Sequence, residues 1–202
     1  MDRIEIKKRA REIANKNKWN IWKPVLIIML LEGIAVLLVQ LLNLDKIVAS
    51  FITSLVSIFL IPASVFGVMA YDLKIARGEE PDISILLKQY KRYSNLLWIT
   101  IICSVIIFLW SLLLLIPGII VAISYSMYSY ITYDEPDLEG KEVLDRSKEL
   151  MNGYKKDYFI FLLSFIGWIL LSLLIIPMAF TIPYISIANA LYYDELKKEH
   201  NM

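Results

Sequence analysis

Forty-one consecutive residues, 93–133, contain no Asp, Glu, Lys or Arg, and this run limits the chain more than any other feature. As one straight helix it would be roughly 60 Å long, twice the ~30 Å hydrocarbon thickness of a bilayer. The run must turn back or break. Pro117 removes a backbone donor and Gly118 tolerates the angles of a reversal, so this dipeptide is the expected place. With 58% hydrophobic and 20% charged residues, the charges confined to blocks, the chain reads as a polytopic membrane protein and not as a soluble domain.

The side chains present remove several function classes. The single cysteine, Cys103, lies within an apolar run, and the single histidine, His200, lies beside the C-terminus. Disulfide frameworks, zinc sites and Ser/His/Asp or Cys/His catalysis therefore lack their parts, and no catalytic residues, metal or cofactor are expected. A net charge of +1 gives no reason to expect nucleic acid as a partner. About twenty charged and polar residues precede the first apolar segment and no small-residue cleavage site follows a short one. The first span is thus expected to stay as an anchor and not to be cleaved as a signal peptide.

Residues 1–23 carry eight Lys or Arg, with Ile6, Ala10, Ile13 and Ala14 at helical spacing. This predicts a basic amphipathic helix, either on the membrane surface or solvated. Trp19 and Trp22 mark an interface, and Pro24 suits the first turn of a helix. The first span is predicted at 24–42 and contains Glu32, roughly 12 Å below the interface. After the polar turn 43–46, residues 47–71 supply a second span with Pro62 inside it.

Charges return from 72 to 92, where Asp82 is placed to cap a helix whose Ile83, Leu86, Leu87 and Tyr90 share a face. The long run then offers spans at 95–116 and 119–133, the second reaching only ~22 Å. A charged helix follows with Val143, Leu144, Ser147, Leu150 and Met151 on one face, stopped by Asn152-Gly153. The last uncharged run, 158–193, is again too long for one span, and Pro177 and Pro183 are available as its turn.

If the three hairpins point outward, 20 of the 21 Lys and Arg fall on one side. Both termini and the two larger loops are then cytoplasmic.

Sliding the chain by 60 residues brings Ile116-Pro117 onto Ile176-Pro177, Ser104 onto Ser164, Ser126 onto Ser186, and Tyr133-Asp134-Glu135 onto Tyr193-Asp194-Glu195. A slide of 55 brings Ile61-Pro62 onto Ile116-Pro117 and Glu80-Pro81-Asp82 onto Glu135-Pro136-Asp137. One integral membrane domain, 1–202, is therefore expected, with repeat-like units at about 1–78, 79–134 and 135–195. Pro62, Pro117, Gly118 and Pro177 are the expected helix breaks. Such breaks mark either hairpin corners and kinks or a binding site.

Ile116-Pro117-Gly118-Ile119-Ile120 with Tyr125-Ser126-Met127, the helix Ser147-Lys148-Glu149-Leu150-Met151-Asn152-Gly153, and Phe165-Ile166-Gly167-Trp168 together resemble a bacterial family. It comprises small multi-pass membrane proteins common in Gram-positive bacteria, the domain of unknown function nine-seven-five. The resemblance covers most of the chain from about residue 60 to Tyr193 and implies no activity or catalytic residues. A looser similarity, in architecture only, is to the membrane domain of some glycerophosphodiester phosphodiesterases.

Glu32 is the one ionisable side chain deep in a span, where a charge costs about 3 kcal/mol unless neutral, paired or facing water. It is either a proton- or cation-coupling group or a hydrogen-bonded structural carboxyl. Tyr125, Ser126, Tyr128 and Ser129 in the fourth segment, with Asn189 in the last, are either a polar lining or hydroxyl glue between helices.

The sequence thus predicts an all-α protein of a bacterial cytoplasmic membrane. It has six membrane segments in three hairpins, amphipathic cytoplasmic helices and both ends inside. Its expected partners are the lipid bilayer and another membrane protein or a second copy. Two roles stay open: a non-catalytic envelope or partner-binding component, and a small transporter for a lipid, peptide or small solute that uses Glu32.

Overall fold

A computed structural model describes residues 2–113, 115–172 and 175–200, with the backbone alone at 61–63, 113, 115 and 175–178. In chain order the helices are α1 (Arg3–Lys16), α2 (Lys18–Leu41), α3 (Lys46–Ala76), α4 (Ser84–Tyr90), α5 (Tyr93–Leu113), α6 (Leu115–Ser124), α7 (Tyr128–Asp134), α8 (Lys141–Leu150), α9 (Lys155–Leu163), α10 (Ile166–Leu171) and α11 (Ile175–Glu199). Among the described residues there is no strand. The all-α class follows from the sequence pattern.

Local chemistry explains the ends. Asp2 accepts from the Ile4 and Glu5 N–H groups at the start of α1, and Asp45 accepts from Ile47 N–H at the start of α3. Asp82 accepts from Ser84 N–H but stands two residues before α4; the residue at the cap is Ile83, whose side chain makes no capping bond. The Asn152-Gly153 stop holds: α8 ends at Leu150 and Gly153 takes φ +85°.

Among the described residues three helices, α2, α3 and α5, are long and apolar enough to cross a membrane. Their large side chains point outward, as at Met29, Leu30, Leu37 and Leu41 on α2, Ile47 and Phe51 on α3, and Phe108 and Leu112 on α5. The other three expected segments differ. The fourth is two helices, α6 and α7, separated by a turn at 125–127, and the fifth is α9 and α10, separated at Ser164-Phe165.

The sixth segment lies within α11, which forms the middle of the core: Tyr184, Ile187, Ala188, Leu191, Tyr192, Tyr193 and Leu196 are all buried. Helix α1 runs antiparallel along it, with Arg9 3.6 Å from Glu195 and the Lys18 ammonium 4.5 Å from the Phe180 ring centre. Ile6, Ala10 and Ala14 are buried there. The amphipathic face of α1 is thus a packing face on its own protein, neither solvated nor free for lipid. The same holds for α8, whose Val143, Leu144, Ser147, Leu150 and Met151 are all buried as the spacing predicts. Helix α4 is rotated from expectation, with Ile85 and Leu86 inside and Leu87 outside.

The expected helix breaks also shift. Pro62 falls within the range of α3, Pro177 in the first turn of α11, and Pro183 inside α11. The chain reverses between α5 and α6 ahead of Pro117, not at Pro117-Gly118; residue 114, between those helices, lies outside the described residues, as do 173 and 174 between α10 and α11. Pro117 sits in the first turn of α6, where its missing N–H has no helical partner to lose. Gly118 serves a close approach: a Cβ there would run into Ser111 Oγ and lie 2.8 Å from Ser111 Cα on α5.

The two real breaks leave backbone groups without helical partners, and other helices supply them. The Ser147 hydroxyl of α8 accepts from Met127 N–H at 3.2 Å and donates to the Ser124 carbonyl at 3.0 Å. At the second break, Lys7 Nζ of α1 donates to Ser164 Oγ at 3.0 Å and lies 4.9 Å from the Phe165 ring centre. Both breaks are bridged from outside the broken segment.

Gly118→Ala should cost about 1–3 kcal/mol in thermal unfolding in detergent, as overpacking does. Ser111→Gly in the same chain should recover only part of that loss relative to Ser111→Gly alone, because the Cα at 2.8 Å stays in place. Unaltered melting of Gly118→Ala would show that α5 and α6 do not meet this closely.

Candidate functional site

Three helices place Glu32 in a cleft of about 360 Å³. On α2 the lining residues Val25, Ile28, Met29 and Glu32 recur at i, i+3, i+4 and i+7, one face of a helix. On α3 they are Ser64, Val65, Val68 and Met69, and α11 contributes Ser186. The walls are apolar, with one carboxylate and two hydroxyls on them. Among the described residues Glu32 is half-buried and makes no hydrogen bond or ion pair.

Asp72 lies one turn beyond Val68 and Met69 on α3. It is 1% exposed, and its Oδ2 accepts a short hydrogen bond from the Ser186 hydroxyl. Its Oδ1 has no partner among the described residues. A buried carboxylate oxygen left unpaired is costly, so this is a strained polar position directly behind the cleft wall. The cleft can receive a proton or a cationic group at Glu32, and Ser186 on its α11 wall bonds a second acid, Asp72.

Five residues further on, Arg77 joins three helix ends. Its guanidinium forks onto Asp134 at 2.8 and 2.6 Å and also reaches Asp194 at 2.8 Å. Lys197 donates to Asp134 at 2.9 Å, and the Tyr193 hydroxyl also donates to Asp134 at 3.2 Å. Asp134 and Asp194 are the aspartates that superpose under the 60-residue slide. Two cations and two carboxylates leave the cluster neutral. Hydrogen bonding to Asp134 raises the Arg77 pKa above its ordinary value, despite burial. Burial pushes the Asp134 carboxyl up, but Arg77 and Lys197 outweigh it and hold it below its ordinary value.

The remaining sequence candidates are dispersed. Ser126 donates to the Ile123 carbonyl and lines a separate cleft of about 370 Å³ between α6 and α9. Tyr125 packs on the main core, and Tyr128 stands edge-on to Phe66 with ring centres 5.5 Å apart. Ser129 is buried with no partner for its hydroxyl among the described residues. Asn189 accepts from the Tyr158 hydroxyl at 3.0 Å. None of these lines the Glu32 cleft. Sequence reasoning missed Asp72, although Tyr-Asp occurs at 71–72, 133–134 and 193–194, at the end of an uncharged run each time.

Fold and site together define an all-helical chain with three helices long and apolar enough to cross a membrane. The chain belongs to a family described as a protein of unknown function (DUF975), which matches residues 1–118 and 112–200. No curated protein and no solved structure is significantly similar to it.

A carboxyl held low in the folded state contributes stability in full above its unfolded value, near pH 4, and loses it as pH falls through the folded value. Removing Arg77 strands Asp134, whose side chain is 8% exposed. Arg77→Met is therefore expected to cost about 2–4 kcal/mol at pH 7, allowing for the partial exposure of Arg77. That deficit should shrink below pH 4 as Asp134 is protonated in both proteins. A deficit unchanged between pH 7 and pH 3 would remove Asp134 as its cause.

Proposed function

We propose that this chain is an integral protein of a bacterial cytoplasmic membrane. Its role is non-catalytic: an envelope component that binds another membrane protein or a second copy of itself. One observation carries the membrane assignment. The outward faces of α2, the first half of α3 and α5 are covered with large apolar side chains, an area that needs an apolar solvent or partner. The six-segment topology, with both ends inside, is supported by the polar cluster. Arg77, Asp134 and Asp194 follow the second, fourth and sixth segments and meet at one place, and Arg3 pairs with Asp157 at 3.3 Å. All five residues then lie on one side, as the positive-inside count requires. The non-catalytic reading rests on the available groups, since Cys103 is buried and His200 bonds the Leu196 carbonyl of its own helix.

A second reading, a small permease, is favoured by the unpaired Glu32 in a cleft with Ser64 and Ser186. In that reading Glu32 takes up the proton or cation, and Ser186 relays to Asp72. Such intramembrane carboxylates mark proton and ion pathways in transporters.

Topology is tested in a Cys103→Ser background with single cysteines. Impermeant maleimide should label Asn43→Cys and the 71%-exposed Ile116→Cys in intact cells, and Lys91→Cys only after permeabilisation. Labelling of Lys91→Cys in intact cells would overturn the topology. For the second reading, proteoliposomes with an imposed pH gradient should leak protons faster with the wild-type chain than with Glu32→Gln. Equal rates would leave Glu32 a structural carboxyl and the permease reading without its coupling group.

A further inference from the structure

Arg3 of α1 pairs with Asp157, Lys7 bonds Ser164 and Arg9 pairs with Glu195, so these cations are used inside the protein. Among the described residues Lys8, Arg11 and Lys16 of α1 and Lys18 at the start of α2 form no ion pair or hydrogen bond, and of these only Arg11 and Lys18 face a cavity. With Asn15 they sit at i, i+4 and i+7 on one face of the turn from α1 into α2, and all three line a cavity of about 420 Å³ against α10 and α11. Among the described residues no carboxylate lines that cavity. The nearest recorded partner of the Lys18 ammonium is the Phe180 ring, a weak substitute for an anion in a partly apolar place. The opposite wall is apolar and aromatic, with Trp168, Leu171 and Tyr184.

A cavity with two cations and an amide on one wall, and aromatic and aliphatic side chains on the other, matches a molecule with both an anionic head and an apolar chain. We propose that this cavity binds one anionic lipid, its phosphate held by Arg11, Asn15 and Lys18 and its chain laid along Trp168 and Leu171. Arginine forks onto phosphate oxygens while lysine supplies a point charge, so the pair neutralises a single phosphodiester. The site stands apart from the Glu32 cleft and does not depend on transport. It also accounts for a basic helix packed along an apolar one: the bound lipid supplies the counter-charge that α10 and α11 lack at this level.

Native mass spectrometry of the full chain, released from mixed micelles of dioleoylphosphatidylglycerol and dioleoylphosphatidylcholine, tests this. One phosphatidylglycerol should be retained in preference to phosphatidylcholine. Arg11→Gln with Lys18→Gln should weaken that retention about tenfold or more, a loss of two charge-assisted contacts. Lys8→Gln with Lys16→Gln removes the same charge from positions of α1 that do not line the cavity and should leave it unchanged. Circular dichroism melting of both double variants separates lost binding from lost folding, and a variant that fails to fold is replaced by Arg11→Lys, which should retain the lipid more weakly. Equal retention of the two lipids, or an equal loss in both double variants, would overturn the proposal. So would displacement of the lipid by millimolar inorganic phosphate, since that would make the cavity a simple anion site.

Discussion

The fork of Arg77 onto Asp134 and Asp194 is the contact on which the arrangement of the helices depends. It joins the ends of α3, α7 and α11, elements more than fifty residues apart in sequence. Apolar side chains alone cannot set their relative height, because hydrophobic contact is non-directional and tolerates sliding. A planar guanidinium with carboxylates at 2.6 and 2.8 Å does not tolerate it. Lysine could not replace it, since one ammonium has no rigid fork with which to hold two carboxylates. Lys197 then neutralises the second negative charge, and the stacked rings of Tyr130 and Tyr193, 5.2 Å apart, close the cluster on its apolar side.

With the helix ends held, the interior is free to be irregular. Broken helices in an apolar setting survive only where their free N–H and C=O groups find partners. Ser147 provides these for the α6–α7 break and Lys7 for the α9–α10 break. Both come from amphipathic helices, α8 and α1, which read in the sequence as peripheral. Their position is better described as structural: Ser147 is fully buried, and the apolar face around it is what carries the hydroxyl to the break.

Much of this was legible where periodicity decides burial. The face of α8 was read residue for residue, because a 3.6-residue period with a Gly stop leaves little choice. Glu32 stood out because a lone charge in an apolar run has no other explanation than an interaction or a cleft. The breaks were not legible at their true positions. Proline marks where a helix has difficulty, yet Pro117 and Pro177 occupy first turns, where the difficulty vanishes. The actual breaks lie at serine-containing turns whose cost is met by residues 20 or more positions away, a cause that no local window contains. Asp72 was missed for a similar reason. At the margin of an apolar run it looks like the first residue outside, and only the fold turns it toward Ser186.

The same two helices carry both the ends and the cleft. Ser64, Val65, Val68 and Met69 of α3 form one wall, Asp72 follows within a turn, and Arg77 caps the helix. Ser186 of α11 forms another wall, and Asp194 and Lys197 lie two and three turns further along. Helices are stiff along their axes, so a shift of α3 against α11 that opens or closes the cleft must also alter the Arg77–Asp194 contact. The short bond between Asp72 and Ser186 stands between these two places and resists that shift. Occupancy of the cleft and integrity of the polar cluster are therefore one mechanical question. In the permease reading Asp72, with one oxygen unpaired among the described residues, is where a proton taken up at Glu32 would arrive.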